Sequence, residues 1–199
     1  MQTQLRQIIA QLEVSQYRSE AGPLENNISF QKLRKLAGLS DSGSDSLVIQ
    51  GVWLKPLVTH TDERGFFREV LRATDDIFSG GFGQWSHSHM VAGTIKAWHI
   101  HFIQTDLFYL PIGVAKVVLH DYRQDSPTYR LTNEFVMGEG HEPEVLKIPP
   151  GVAHGLKVIS GPAHLFYITS HVYNPDDEGR VAHDDPGIGY DWLKGPEIK

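Results

Sequence analysis

Short apolar or alternating runs dominate the chain from Leu47 to about residue 170. They are rich in Val, Ile, Phe, Tyr and Trp, and Gly, Pro or Asp stands at their ends, which is typical of strands and turns. The candidate strands cover 47–54, 66–72, 84–90, 94–101, 107–111, 114–121, 132–137, 144–149, 153–159 and 163–170. Because no helical pattern separates these runs, they predict an antiparallel sandwich or barrel rather than an α/β fold.

The first 46 residues follow a different pattern. Apolar side chains recur there at helical spacing, at Leu5, Ile8, Ile9 and Leu12 and again at Phe30, Leu33, Leu36 and Ala37. A run of Ser, Asp and Gly over 40–46 has the composition of a flexible linker. The sequence therefore predicts a helical N-terminal extension and linker at 1–46, used for docking or packing, and a β-domain at 47–199.

The chain is acidic overall and contains no cysteine. Its 18 Lys and Arg against 24 Asp and Glu give a formal net charge of −6, so it lacks the basic excess that general binding to nucleic acid or anionic membranes requires. The absence of cysteine excludes disulfides, thiolate metal sites and cysteine nucleophiles. No signal peptide and no apolar stretch of roughly 18 residues is recognisable. We therefore expect a cytoplasmic protein.

Two histidines alternate on one predicted strand, and a third follows a predicted turn. His99 and His101 point to the same face, because alternate side chains of a strand share a face. A turn would bring Asp106 back beside them on the next strand, and His154 lies on a later strand. The pattern resembles the two motifs of the cupin superfamily, with Gly93, His99, His101 and Gly113 in the first, Asp106 where Glu is usual, and Pro149, Gly151 and His154 in the second. This resemblance implies an all-β double-stranded β-helix, or jelly-roll, barrel.

A closer resemblance covers nearly everything from Gly51 to Trp192. The matching segments, in order, are 62–69, Gln84, 93–99, 121–128, 148–155, Tyr167, 173–175, 184–186 and 191–192. Together they are similar to the dTDP-4-dehydrorhamnose 3,5-epimerase family, a branch of the cupins. The resemblance implies an isomerase that epimerises position 3, position 5 or both, or keto-isomerises, a nucleoside-diphosphate-4-keto-6-deoxyhexose by enolisation. It implies no required cofactor.

The resemblance also assigns catalytic roles. Epimerisation beside a ketone needs a base for the α-proton, a donor for the enolate oxygen and an acid on the opposite face. His99 stands at the family's base position, and histidine suits this role because its ordinary pKa lies near neutrality. Tyr167 stands at the acid position, and His154 matches a further active-site histidine.

Other matching residues are implied to bind the nucleotide. Arg64 matches an arginine that grips the diphosphate, for which a guanidinium fork is well shaped. Phe67, Glu69 and Gln84 match residues that contact the nucleotide base. Because the family's Arg64 segment serves the neighbouring subunit's site, the resemblance implies a homodimer.

Several positions depart from the family pattern. Lys96 replaces an arginine, which keeps the positive charge but loses bidentate geometry. Ser86 stands where asparagine is common, and Asp106 reverses the charge of a lysine that faces the enolate. A downstream Ser-x-x-Asp segment, whose aspartate usually pairs with the base, has no match in the sequence. Two parts of the family's mechanism therefore lack a counterpart.

These departures permit a metal-binding interpretation. His99, His101, Asp106 and His154 supply three imidazoles and one carboxylate, a suitable set for Zn, Fe, Mn or Ni. One divalent ion could replace the lysine as electrophile, and His99 would then be a ligand rather than the base. The alternatives to an epimerase are accordingly a metal-dependent cupin enzyme that acts on another small molecule, as an oxygenase or hydrolase, or a non-catalytic sugar-nucleotide binder.

Purely structural roles compete for some of these residues. Tyr167 lies in an apolar run and could be a core residue with a hydrogen-bonded hydroxyl. Asp106 could pair with Lys96 or Lys116. The remaining alternating pair, His87 and His89, is expected to line the barrel or face solvent rather than bind a second metal.

Overall fold

The computed structural model describes residues 48–78 and 80–194. The predicted extension and linker at 1–46 lie outside the described residues. The regular secondary structure of the described part is almost entirely β, as the alternation of apolar and polar residues predicts. None of its helical segments has the length and hydrophobicity needed to span a bilayer.

The strands, in chain order, are β1 (Trp53–Pro56), β2 (Thr59–Asp62), β3 (Gly65–Arg68), β4 (Gln84–Met90), β5 (Ile95–His101), β6 (Asp106–Asp121), β7 (Thr132–Gly138), β8 (Glu144–Ile148), β9 (Val152–Thr169) and β10 (Glu178–Arg180), with a short 3-10 helix at Asp76–Phe78. All pairings are antiparallel. Within the described ranges, the main sheet has the order β1-β8-β6-β9-β5-β10, with β4 also on β9 and β7 also on β6. Strands β2 and β3 form a separate hairpin.

The long strands β6 and β9 organise the barrel, and the sequence had divided each of them in two. The pattern predicts breaks between 111 and 114 and between 159 and 163. In the structure, each of these two segments continues as a single strand, β6 in the first case and β9 in the second. The register of β6 against β9 instead shifts between Tyr109 and Ala115. Gly113 makes this irregularity possible, because its φ of +75° suits glycine and an added Cβ would lie 2.7 Å from the Ala163 Cα.

Three further strand predictions are wrong in part. In place of a strand over 48–52, a turn closed by the Val52 N–H on the Ile49 carbonyl at 3.0 Å precedes β1. The predicted strand at 66–72 ends at Arg68 and is half of the β2–β3 hairpin. The tail after 173, in which the sequence predicts no strand, contributes β10 to the edge of the main sheet.

The core lies between these strands in clusters of buried apolar residues. One cluster includes Trp98, Ile100 and Trp192, and another includes Leu107 and Val145. Side chains alternate along a strand, so the neighbours of Trp98, Ile100 and Leu107 in sequence point the opposite way. That opposite face carries the histidines.

Candidate active site

One cavity of about 380 Å³ is lined by residues of β4, β5, β6, β9 and β10, and its histidines come from β5 and β9. The predicted residues that line it are Gln84, Lys96, His99, His101, Asp106, His154 and Tyr167. His99, His154 and Tyr167, to which the resemblance assigns active-site roles, thus line the same cavity. Whether each of them performs its assigned role is a separate question.

Strand pairing sets the two central histidines opposite each other. His99 of β5 is the register partner of His154 of β9, and their ring centroids lie 6.2 Å apart. Gly155 allows this close approach, since a Cβ there would lie 2.8 Å from the Lys96 carbonyl oxygen and 2.6 Å from the Ala97 Cβ. The glycine that follows the second-motif histidine thus has a packing role beside the site.

Lys96 reaches the cavity because β5 is irregular. The register of β5 against β9 shifts between Lys96 and His99, so two residues that are three apart both face inward. The Lys96 ammonium donates to the Ser88 hydroxyl at 2.9 Å. It brings positive charge to the mouth of the cavity.

Asp106 sits among imidazoles at the bottom of the cavity. Its Oδ2 lies 3.4 Å from the His154 Nε2 and 3.9 Å from the His101 Nε2, while its Oδ1 accepts from the Gln104 amide at 2.7 Å. Burial alone raises the pKa of Asp106, but the hydrogen bond and charge of His154, with His101 and Gln104, outweigh burial and hold the pKa below its ordinary value. Asp106 is therefore a carboxylate, and its alternative pairing with Lys96 or Lys116 is wrong.

Three of the four candidate metal ligands come together. The ligand atoms of His101, Asp106 and His154 lie within 4.8 Å of one another, and two imidazoles with one carboxylate form a reasonable set for a divalent ion. His99 is not part of this group. The residues thus fit an ion bound at the bottom of the cavity, with His99 left to act on a substrate.

His99 lies between cationic and anionic neighbours, with 36% of its side chain exposed. Burial and the positive charges of His154, Arg180 and His101 lower its pKa, and Glu178 opposes them only in part. The lowered pKa keeps the imidazole neutral at physiological pH. A neutral imidazole is the form that can accept a proton.

Tyr167 faces the same space from the far end of β9. It pairs in register with Phe108 of β6, and their rings lie 5.8 Å apart, edge to face. Its hydroxyl makes no hydrogen bond with any residue in the described ranges. The structural alternative, a core tyrosine with a hydrogen-bonded hydroxyl, is therefore wrong. A phenol lining a cavity without a protein partner is available to a ligand.

Gln84 borders the cavity and is already engaged. Its amide donates to the Ser86 hydroxyl at 3.0 Å, and its carbonyl accepts from the Tyr173 N–H at 2.8 Å. These bonds tie the start of β4 to the segment that leads into β10. The residue that stands in place of the family's asparagine, Ser86, therefore orients a predicted nucleotide contact.

Three predicted nucleotide-binding residues lie away from the cavity within the single chain. Arg64 is exposed at the tip of the β2–β3 hairpin and pairs with Asp62 at 2.6 Å. Phe67 is 63% exposed on the same hairpin, and Glu69, just beyond it, forms an ion pair with Arg72. None of the three lines the cavity that holds His99.

Four site residues were absent from the sequence predictions. Gln104, Glu178 and Arg180 line the cavity, and Asp177 lies 3.9 Å from the His101 Nδ1. Gln104 could have been found, because it is two residues from Asp106 and so shares its face. The others come from a turn-rich segment in which no periodicity indicates which way a side chain points.

The histidines on the outer face of β4 and the family-like segment 121–128 lie where they support the structure rather than line the cavity. His87 and His89 are exposed and alternate with the cavity-facing residues of β4, and His87 stacks on Phe166 at 4.3 Å. In the segment 121–128, the buried Asp121 carboxylate accepts from Arg123, Ser126 and Thr128. That segment is a turn held by one carboxylate.

The fold and the cavity define the class of protein first: a cupin-type antiparallel β-barrel whose interior carries the histidines of both motifs. More narrowly, the chain belongs to the dTDP-4-dehydrorhamnose 3,5-epimerase family, whose model matches residues 46–199. Both the barrel and the family agree with the resemblance drawn from the sequence.

Known proteins similar to this chain span most of its β-domain. The spore coat polysaccharide biosynthesis protein SpsL of Bacillus subtilis is 45% identical over 148 residues, which cover 73% of this chain and 97% of SpsL. The probable low-salt glycan biosynthesis epimerase Agl13 of Haloferax volcanii is 35% identical over 72% of this chain and 94% of its own length. The crystal structure of a dTDP sugar isomerase from Desulfovibrio desulfuricans matches with a TM-score of 0.69 and 30% identity, over 74% of this chain and 94% of that one.

Proposed function

We propose that this chain epimerises, or keto-isomerises, a nucleoside-diphosphate-4-keto-6-deoxyhexose by enolisation. The observation that carries the proposal is one cavity lined by a neutral histidine, two further histidines and an unbonded tyrosine hydroxyl, contributed by β5 and β9. Membership of the epimerase family gives the substrate class. The cavity is large enough for a hexose ring.

The chemistry follows from the positions of these groups. His99 takes the proton from the carbon beside the C4 ketone, and the electron pair moves onto the ketone oxygen to give an enolate. The Lys96 ammonium, which lines the same cavity, stabilises the developing oxyanion. Tyr167 then returns a proton to the same carbon from the other face, and the ketone re-forms. The reaction exchanges protons only and requires no metal.

We also infer a homodimer in which the β2–β3 hairpin completes the partner's cavity. Arg64 and Phe67 lie on an exposed hairpin, and neither lines the cavity that holds His99. Phe66 on the same hairpin is 64% exposed, and large apolar side chains exposed together mark interaction surfaces. In the dimer, the Arg64 guanidinium would bind the diphosphate. We place the enzyme in the cytoplasm, where nucleotide sugars are assembled from nucleoside triphosphates.

A second candidate is supported by the group His101, Asp106 and His154, whose ligand atoms lie within 4.8 Å of one another. A divalent ion there would polarise a substrate carbonyl, which is the chemistry of the metal-dependent alternative. The proton transfers proposed above use His99 and Tyr167 rather than this group, so the epimerase proposal does not depend on the metal.

Incubating the protein with 4-keto-6-deoxy sugar nucleotides in deuterated water tests the proposal. We expect deuterium at C3, at C5 or at both, together with inversion at the labelled carbon, in NMR spectra of the product. Exchange at one carbon would identify a mono-epimerase. Tight binding without exchange for any such substrate would contradict the proposal and indicate a binding protein.

A further inference from the structure

Three histidines lie together on the outer face of the sheet that β4 forms with β9. His89 of β4 is the register partner of His164 of β9, and His87 lies two residues from His89 on the same face of its strand. His87 and His89 are exposed, and His164 is partly buried. The sequence, which showed only the pair on β4, predicted no metal there. The structure adds His164 to that pair, and we call the three residues the outer histidine cluster.

The rings of the outer histidine cluster are in direct contact. The His87 Nε2 and the His164 Nδ1 lie 2.9 Å apart and share one hydrogen bond, and the two rings stack with their centroids 5.0 Å apart. His89 stands edge-on to His164, with 4.9 Å between the ring centroids. On its other side, the His87 ring stacks on Phe166 at 4.3 Å, which restricts its orientation. His164 therefore contacts both histidines of β4.

A divalent ion can take the place of the proton in the hydrogen bond between His87 and His164. Two imidazole nitrogens that bind one tetrahedral ion lie roughly 3.3 Å apart, so the pair at 2.9 Å needs to open by only a few tenths of an ångström. The His89 ring is exposed, and rotation of its side chain would bring a third nitrogen to the same ion. Three imidazoles suit Zn²⁺, Ni²⁺ or Cu²⁺, whereas Mg²⁺ and Ca²⁺ prefer oxygen ligands.

We propose that the outer histidine cluster binds one divalent transition-metal ion of this class, such as Zn²⁺, and that the ion fastens β4 to β9. Among the described strands, β4 is hydrogen-bonded to β9 alone, so an ion that joins the two strands adds to the bonds that hold β4. The opposite face of β4 presents Gln84 and Ser88 to the cavity. The ion therefore supports the cavity wall from outside, and the site does not depend on the proposed reaction.

Zinc titration of the full chain, purified without a histidine tag and stripped of metal with EDTA, tests the site. Calorimetry should show a binding event that His87→Gln and His164→Gln each weaken by at least roughly tenfold, the smallest loss seen even when an indirect partner of a metal is removed. His141→Gln removes an exposed histidine between β7 and β8 and serves as the matched control, with unchanged affinity. Equal zinc affinity in the wild type, His87→Gln and His164→Gln would overturn the proposal.

The buried group of His101, Asp106 and His154 is a second place where the same ion could bind, and NMR of the wild type distinguishes the two. Less than one equivalent of paramagnetic Cu²⁺, added to the chain labelled with ¹⁵N-histidine, should broaden the ring signals that are missing from His87→Gln and His164→Gln. Broadening confined to the signals of His101 and His154 would place the ion in the cavity and overturn the proposal.

The second part of the proposal, that the ion fastens the two strands, predicts a change in thermal stability. Zn²⁺ at about 100 times its Kd should raise the Tm of the wild type by roughly 5 to 10 °C, because an ion that binds the folded state better than the unfolded state stabilises it by mass action. The rise should be the same in His141→Gln and clearly smaller in His164→Gln. An equal rise in the wild type and His164→Gln, or no rise in the wild type, would contradict this role.

Discussion

At the scale of single residues, the chemistry of the cavity depends on where each imidazole keeps its proton. The His154 Nδ1 lies 3.1 Å from the Val152 carbonyl oxygen, which can only accept, so Nδ1 carries a proton. The other nitrogen, Nε2, then faces the Asp106 carboxylate at 3.4 Å. That contact is attractive only with a cation between the two atoms, either a second proton on His154 or a metal ion. The epimerase proposal and the metal-dependent alternative differ in which of these two cations is present.

Metal removal decides between them. We expect protein treated with EDTA and dialysed to keep its full rate of deuterium exchange, because the Lys96 ammonium in the cavity supplies positive charge for the enolate without a metal ion. Elemental analysis before and after treatment is the control for removal. Stoichiometric metal whose loss abolishes exchange, and whose return restores it, would favour the metal-dependent alternative.

The residue-level predictions succeeded where a two-residue period was enough. His99 and His101 share a face, and Asp106 returns beside them, as alternation and one turn require. Lys96 faces the cavity only because of the register shift in β5, which no pattern of residue types reveals. Glu178 could not be predicted either, because its position depends on three backbone N–H groups that donate to the adjacent Asp177.

At the scale of elements, two long strands and one turn that is held by a buried carboxylate give the barrel its geometry. Alternation predicted most strands, but Pro111 and Gly113 resemble a break in the pattern, whereas the pairing of β6 with β9 continues on either side of them. Tertiary pairing outweighs local turn preference there. The turn after β6 depends on Asp121, whose carboxylate is fully buried.

Asp121→Asn tests the contribution of that turn to stability. Arg123, Ser126 and Thr128 outweigh the effect of burial and lower the pKa of Asp121 from 3.8 to about 2. The carboxylate therefore stabilises the fold above pH 4, and this contribution is lost as the pH falls towards 2. We expect Asp121→Asn to cost roughly 2 to 4 kcal/mol at pH 7 in urea unfolding, and less near pH 2.

The control for this experiment is Asp125→Asn, which neutralises an exposed carboxylate in the same turn and should leave the free energy of unfolding nearly unchanged. Equal effects of the two substitutions, or a deficit in Asp121→Asn that is independent of pH, would show that the Asp121 network does not hold the turn.

At the scale of the whole molecule, the cavity of one chain contains the groups proposed for proton transfer but only part of those predicted for nucleotide binding. Lys96 and Gln84 line it, whereas Arg64, Phe67 and Glu69 do not. A single sequence cannot tell whether a predicted contact belongs to its own chain or to a partner. Because the β2–β3 hairpin is exposed, we can test whether its residues contribute to the site of a partner chain.

Subunit complementation provides that test. His99→Gln and Arg64→Gln should each be nearly inactive alone, but a mixed dimer contains one site with both residues intact if Arg64 acts in the partner's site. We expect mixing and reassociation to restore up to about one quarter of wild-type activity, the statistical value for a two-fold symmetric dimer. Restoration to that level requires a dimer, which light scattering would detect. Failure of the mixture to recover would mean that Arg64 serves its own chain or no site.

The most direct measurement of the central claim is substrate exchange and inversion in two variants that separate the proposed acid from the proposed base. In deuterated water, His99→Gln should show neither exchange nor inversion, whereas Tyr167→Phe should exchange the α-proton without inverting the carbon, because enolisation survives and protonation from the opposite face does not. His89→Gln, on the outer face of β4, should behave as wild type. Exchange at the wild-type rate in His99→Gln, or full epimerisation by Tyr167→Phe, would contradict the account.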